Sequence, residues 1–242
     1  MPDSISRRQL LGRAAGAAAT LVVSQSIVGC SSSTENDGGE VVDGCVLTAS
    51  LTEGPYFVDE RLNRTDIRAD PATGEVSAGT QLDLTFNVSR VSGGQCTPLT
   101  GAYLDVWHCD AAGVYSDVAG AGASRRFLRG YQITDASGVA RFTTVYPGWY
   151  MGRAVHVHFK QRLIAGAATT YEFTSQFFFN ESLTDMVHVL APYSSRGQRD
   201  TRNSNDGIYN GLSSSARQAL TLQTSQNGAV YSGVIDLSVQ VG

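Results

Sequence analysis

Two of the four histidines in this 242-residue chain stand together as His156-Val157-His158. On a strand, side chains two residues apart share a face, so both imidazoles can reach one metal ion. Six residues earlier comes Tyr150, in Tyr146-Pro147-Gly148-Trp149-Tyr150. Pro147 and Gly148 predict a turn that carries its phenol back over the histidine pair. Arg153 lies between the two, and Tyr115 precedes Tyr150 by 35 residues, in Asp110-Ala111-Ala112-Gly113-Val114-Tyr115-Ser116. A His-x-His pair alone is commonly surface decoration or a buried hydrogen-bonding pair, and most of ten tyrosines must serve packing. The conjunction is more selective. Two phenolates and two imidazoles form a hard, anionic set that favours iron(III) over softer or lower-charge metals. Two phenolates also offset two of three positive charges, which holds the ferric state against reduction.

Four segments, in this order and spacing, resemble the intradiol ring-cleavage dioxygenases, a family that includes the protocatechuate 3,4-dioxygenases and the catechol 1,2-dioxygenases. They are Trp107-His108-Cys109-Asp110-Ala111-Ala112-Gly113-Val114-Tyr115-Ser116, Arg129-Gly130-Tyr131-Gln132-Ile133-Thr134-Asp135, Pro147-Gly148-Trp149-Tyr150 and Arg153-Ala154-Val155-His156-Val157-His158-Phe159. The resemblance runs from about Cys45 to the C-terminus. It implies one Fe(3+) per chain, held by Tyr115, Tyr150, His156 and His158, with Tyr115 and His158 equatorial and Tyr150 and His156 axial. Arg153 matches the family's catalytic arginine, and Gln176, in Thr174-Ser175-Gln176-Phe177, matches the glutamine beside the substrate ring. Tyr150 is implied to serve as ligand and general base in turn. Gly54, Pro55 and Tyr56, in Glu53-Gly54-Pro55-Tyr56, match a wall of the substrate pocket, and Trp149 is expected beside them.

The implied reaction inserts both atoms of O2 into a catechol-type ring between its two hydroxylated carbons. The product is of the cis,cis-muconate type, and no organic cofactor is needed. Small aromatic diols and O2 are then the partners. The rival reading is a non-catalytic exported β-sandwich module that binds aromatics or iron, since fold alone does not fix function. Arg153 and a labile Tyr150 discriminate, because a binder needs neither.

The elements around these residues read as β. Leu82 to Val88 alternates apolar and polar residues, as a half-buried strand does. Ala102 to Trp107 is a second strand. Arg129 to Thr134 and Val139 to Val145 flank Asp135-Ala136-Ser137-Gly138, which predicts a hairpin. Val155 to Leu163 and Tyr171 to Phe179 pair around Ala165-Gly166-Ala167, and Ala219 to Thr224 pairs with Val230 to Val239 through Gln226-Asn227-Gly228. Ser182 to Leu190 is the one convincing helix, with Ser182 as its N-cap. Many short strands between turn signals predict an all-β fold, a β-sandwich of the intradiol dioxygenase type with few short helices.

Composition bounds the rest. Met1 to Cys30 reads as an export signal: Arg7-Arg8 resembles a twin-arginine start, Ala14 to Val23 is apolar, and the small residues before Cys30 resemble a lipobox. Residues 31–44 form a polar tether, and 45–242 form one catalytic domain large enough for a sizeable core. Residues 1–30 carry three arginines and one aspartate, so their removal takes the net charge from −4 to −6. An acidic surface argues against nucleic acid as partner, and membrane contact is expected only through a lipid on Cys30. There is no room between Cys30 and Glu53 for the helical dimerisation region of catechol 1,2-dioxygenases, which leaves homo-oligomerisation to other surfaces.

Cys96 and Cys109 flank one strand and are too far apart to bond, so Cys45 pairs with one or the other. Several conspicuous residues have bland readings. Trp107 and Phe142 are expected in the core. His108 is expected as a hydrogen-bonding or exposed residue and His188 as a solvated one. Arg129 is expected in an ion pair. Arg196, Arg199 and Arg202 are expected on a solvated loop paired with Asp200 and Asp206.

Overall fold

The computed structural model describes residues 38–241. The export signal, Cys30 and residues 31–37 of the tether lie outside the described residues. Short strands β1 (Val41–Val42) and β2 (Cys45–Val46) lead into an irregular strap, followed by β3 (Gln81–Ser92), β4 (Gln95–Pro98), β5 (Tyr103–Trp107), β6 (Arg129–Ile133) and β7 (Val139–Val145). Next come β8 (His156–Ala165), β9 (Ala168–Phe178), helices α1 (Glu181–His188), α2 (Gly207–Gly211) and α3 (Ser214–Ala219), then β10 (Gln223–Asn227) and β11 (Val230–Gln240). One sheet runs β10-β11-β3-β4, with β7 also paired to β3, and the other runs β6-β5-β8-β9. All these pairings are antiparallel except β11 with β3.

The two sheets bury their facing sides against each other. Leu82, Leu84, Phe86 and Val88 of β3 alternate inward, as the sequence pattern requires, and meet Leu104, Val106, Val157, Phe159 and Phe177 of the other sheet. Phe86 sits at the centre, with Phe142, Phe159 and Phe177 edge-on at 5.8, 6.0 and 5.9 Å. Each such ring contributes about 1.5–3 kcal/mol through burial. Gln161 is the exception on the core side of β8, because it is fully buried and neither amide atom has a hydrogen-bond partner among the described residues. An unpaired buried amide costs about 1–3 kcal/mol. Gln161→Met is therefore expected to raise the unfolding free energy by about 1 kcal/mol or more. A denaturant titration showing no gain would sink that expectation.

Four expectations for the scaffold change. Asp135 to Gly138 does turn the chain, with the Asp135 carboxylate accepting the Ser137 and Val139 N–H groups. It is not a hairpin, since β6 pairs with β5 and β7 with β3, so the turn crosses between sheets. Asn180 caps α1 in place of Ser182, its side chain accepting from the Ser182 and Leu183 N–H groups. Ala219 ends α3 and does not start a strand. The helices α2 and α3 are too short for their periodicity to stand out in sequence. The disulfide joins Cys45 to Cys96, which leaves Cys109 as a buried free thiol among the described residues.

Candidate active site

Along β8 the apolar residues Val157 and Phe159 face the core, which turns His156, His158, Lys160 and Arg162 to the other side of the sheet. That side is covered as well, so the whole run from His156 to Arg162 is buried. The cover is the strap before β3. It is held by hydrogen bonds from Thr48 N–H to the Ser238 carbonyl, from Leu51 N–H to the Thr174 carbonyl and from the Ser175 hydroxyl to the Ala49 carbonyl. Strand register then aligns a row across the sheet: Arg129 of β6, Trp107 of β5, His158 of β8 and Gln176 of β9. Trp107 stacks on the His158 ring at 5.0 Å and 9°.

The two tyrosines come from loops that press together. Gly113, at φ +78°, and Gly148 face opposite loops, and any Cβ there would collide with the Trp149 and the Ala111 carbonyl respectively. Gly148 N–H also donates to the Asp110 carbonyl at 3.0 Å. Gly148→Ala is expected to cost about 1–3 kcal/mol through this overlap and to lower activity by separating Tyr150 from Tyr115. Thermal melts and turnover of the same sample check it, and an unperturbed melt would refute the close-approach argument.

Four donor atoms converge. His156 Nε2 lies 3.1 Å from His158 Nε2, 3.1 Å from Tyr150 Oη and 3.4 Å from Tyr115 Oη. His156 Nδ1 is 2.6 Å from the Ala154 carbonyl. A carbonyl can only accept, so Nδ1 carries the proton and Nε2 presents its lone pair to the cluster. Burial is the largest influence on all four groups. It pushes His156 down to about 3 and His158 well below the usual imidazole value, with Arg153 adding to both. It lifts Tyr150 to about 12 and Tyr115 well above the ordinary phenol value.

Among the described residues no group of three or more His, Cys, Asp or Glu side chains could hold a metal, so any metal site here needs the phenols. The donor set fits iron(III): two neutral imidazole lone pairs and two phenols, which a trivalent ion would ionise and whose charge it would balance.

Beside the donors, Arg153 Nη2 donates to Gln176 Oε1 at 2.6 Å, and Gln176 Nε2 donates to the Thr52 carbonyl at 2.7 Å. Tyr56 stacks on Tyr115 at 4.3 Å and meets Tyr150 edge-on at 6.1 Å. Gly54 lies against the His158 ring, where a Cβ would stand 3.4 Å from Cε1. Pro55, between them in the strap, is exposed. Trp149 turns away from the small cluster around Tyr115. It packs on the main core with the Arg196 guanidinium 4.8 Å above its ring.

A family model described as Dioxygenase matches residues 52–192, more than half of the chain. The chain belongs to the intradiol ring-cleavage dioxygenase family. An intradiol ring-cleavage dioxygenase from Tetranychus urticae has a similar structure, with a TM-score of 0.69 at 27% identity over 81% of this chain and 95% of that one. The dioxygenase domain of a dioxygenase carbohydrate-binding protein fusion from Streptomyces sp. SirexAA-E gives 0.57 at 25% identity, over 81% of this chain and 99% of that one. A chlorocatechol 1,2-dioxygenase of Rhodococcus opacus is 32% identical over 103 residues, which are 41% of this chain and 38% of that protein. The match thus spans well under half of that curated relative.

In this family member Asp206, expected as a partner of the Arg196–Arg202 loop, serves Arg153 instead. Its carboxylate is fully buried, accepts from Arg153 Nε at 2.9 Å and Ala154 N–H at 2.7 Å, and caps α2 through the Ile208 and Tyr209 N–H groups. Burial would raise this carboxyl, but those hydrogen bonds outweigh it and hold it below the usual carboxylate range. Asp206-Gly207 reads only as a turn or cap in sequence, and nothing local points to Arg153, 53 residues away.

Three further expectations are corrected. Arg199 and Arg202 pair with Glu181 and Asp185 of α1 rather than with Asp200 and Asp206. His188 is buried, with Nε2 3.0 Å from the Pro147 carbonyl and its ring stacked on Tyr193. Arg129 makes no ion pair among the described residues and instead donates to Ser116 and to the Tyr56 carbonyl. His108 hydrogen-bonds as expected, to the Cys109 carbonyl and Thr144, while Trp107 belongs to the small cluster around Tyr115.

Proposed function

We propose that this chain is an iron(III)-dependent dioxygenase that cleaves catechol-type rings between the two hydroxylated carbons. The observation that carries the reading is the convergence of Tyr115, Tyr150, His156 and His158 beside a fixed Arg153–Gln176 pair. Iron(III) held by those four donors would supply a Lewis acid that chelates a catecholate and draws electron density from its ring, opening the ring carbon to O2. The protein's own groups do the rest. Tyr150 Oη, the less buried of the two phenols, would be a phenolate once a trivalent ion had ionised it, and in that form would accept a proton from one substrate hydroxyl as general base. Arg153, held at both ends, presents fixed positive charge to the oxygen that gains negative character as the ring turns ketone-like. Tyr56 and Gly54 wall the site and exclude water. Both oxygen atoms enter the product, a dicarboxylate of the cis,cis-muconate type, so electrons balance without a reductant.

The decisive experiment is the visible spectrum of iron-loaded protein before and after anaerobic addition of catechol, followed by O2 uptake and product analysis. A broad tyrosinate-to-iron band that moves to longer wavelength with catechol, then ring-cleaved product, supports the reading. A colourless iron-loaded protein refutes it.

Export completes the proposal. A twin-arginine leader and a lipid on Cys30 would place the enzyme outside the cytoplasmic membrane, and the Cys45–Cys96 bond supports an oxidising compartment. Fractionating cells that express the full chain, with Arg7 and Arg8 both replaced by lysine as control, tests it. An intact chain confined to the cytoplasm in both cases would overturn it.

A further inference from the structure

Arg153 is gripped from two directions. Its Nη2 donates to Gln176, which is anchored to the strap through the Thr52 carbonyl. Its Nε donates to Asp206 Oδ2, an oxygen that also accepts the Ala154 N–H. The other oxygen, Oδ1, takes the Ile208 and Tyr209 N–H groups in the first turn of α2. One buried carboxylate therefore joins the start of a helix to the segment between Tyr150 and His156. The guanidinium lies between this carboxylate and a neutral amide, so its angle is set by fixed acceptors and not by solvent.

We propose that Asp206 is a positioning residue for Arg153, locking the guanidinium in the orientation that stabilises the developing charge on the substrate. The inference rests on the ring-cleavage reading given above. A carboxylate suits the task because it accepts two N–H donors through one oxygen while the second oxygen caps α2. Asparagine in its place can keep the cap, but it turns an NH2 group toward Arg153 Nε and Ala154 N–H, setting donor against donor. The guanidinium loses its lateral fix while the four donors keep their identities.

The test is a double-mutant cycle in kcat on the iron-loaded full chain, using Asp206→Asn, Arg153→Ala and the combination. Asp206→Asn is expected to lower kcat about 10- to 100-fold, the range seen when outer groups that orient an active-site residue are removed. In the Arg153→Ala background the same change is expected to cost less than about 3-fold, because its target is gone. The tyrosinate band and its shift with anaerobic catechol should be retained in every variant. If Asp206→Asn does not fold, Asp206→Ser keeps a capping oxygen but is too short to reach both donors, and replaces it in the cycle. Equal losses in both backgrounds would show a merely structural role and overturn the proposal, as would full activity of the single variant. Wild-type protein that turns over no catechol-type substrate at all would overturn the ring-cleavage reading and this role together. An active wild type with additive losses overturns the positioning role alone.

Discussion

Tyr115→Phe is expected to weaken and shift the visible band of the iron-loaded protein, leaving the part that Tyr150 supplies, and to lower kcat/KM by about 10³ or more, since a charged donor that tunes a Lewis acid contributes several kcal/mol. The substitution is close to isosteric. The Tyr115 ring is buried in a small cluster with Trp107 and Cys109, and stacks on Tyr56 at 4.3 Å. Phenylalanine keeps that stack and loses only the oxygen that lies 3.4 Å from His156 Nε2. The hydroxyl's hydrogen-bonding contact among the four donors is the 3.4 Å approach to His156 Nε2, so its removal should change the stability of the metal-free fold little. The pair of results, a weakened and shifted band with a nearly unchanged melting temperature, separates a ligand from a packing residue. An unchanged band with full activity would remove Tyr115 from the donor set.

Arg153→Ala should leave the colour in place and still lower kcat by about 10²–10³, the usual cost of deleting one preorganised charge-stabilising donor. The guanidinium touches Gln176 and Asp206 and none of the four donor atoms, so the donors can assemble without it. Arg153→Lys is expected to recover little. An ammonium on a flexible stem cannot reproduce two hydrogen bonds in a fixed fork, one from Nε and one from Nη2. Single-turnover kinetics should place the loss after substrate binding, with the catechol-induced spectral shift intact. If the shift disappears too, Arg153 holds the substrate and not the developing charge. If turnover persists, the electrostatic role is wrong.

The donors were legible in the chain because their chemistry is rare and partly local. His156 and His158 are two apart on one strand, and the alternation that turns Val157 and Phe159 to the core turns both imidazoles the other way. Tyr150 is held instead by a turn at Met151–Gly152, whose Arg153 N–H donates to the Tyr150 carbonyl, and not by the expected turn at Pro147–Gly148. The main strands were legible for a related reason, since period-two burial is written in residue types. What misled was pairing. Asp135 to Gly138 has the composition of a hairpin turn, yet its flanking strands join different sheets. A turn's dihedral preferences are local, whereas the partner of a strand edge depends on which other edges are free. His188 and the arginine cluster misled in the same way. Their surroundings are built by Pro147, Glu181 and Asp185, whose proximity no short window of sequence contains.

The sequence by itself determined that two imidazoles share one face of β8 and that a mainly β scaffold presents them. Only the tertiary structure decided that Gly54, Tyr56 and Phe57 of the strap cover that face, that register lines Trp107, His158 and Gln176 across three strands, and that Asp206 reaches Arg153 from a helix 53 residues away. The division has one physical cause. Side-chain chemistry and period are properties of neighbours along the chain. The desolvation, stacking and anchoring that tune those side chains come from segments brought together when the sheets close over their common core.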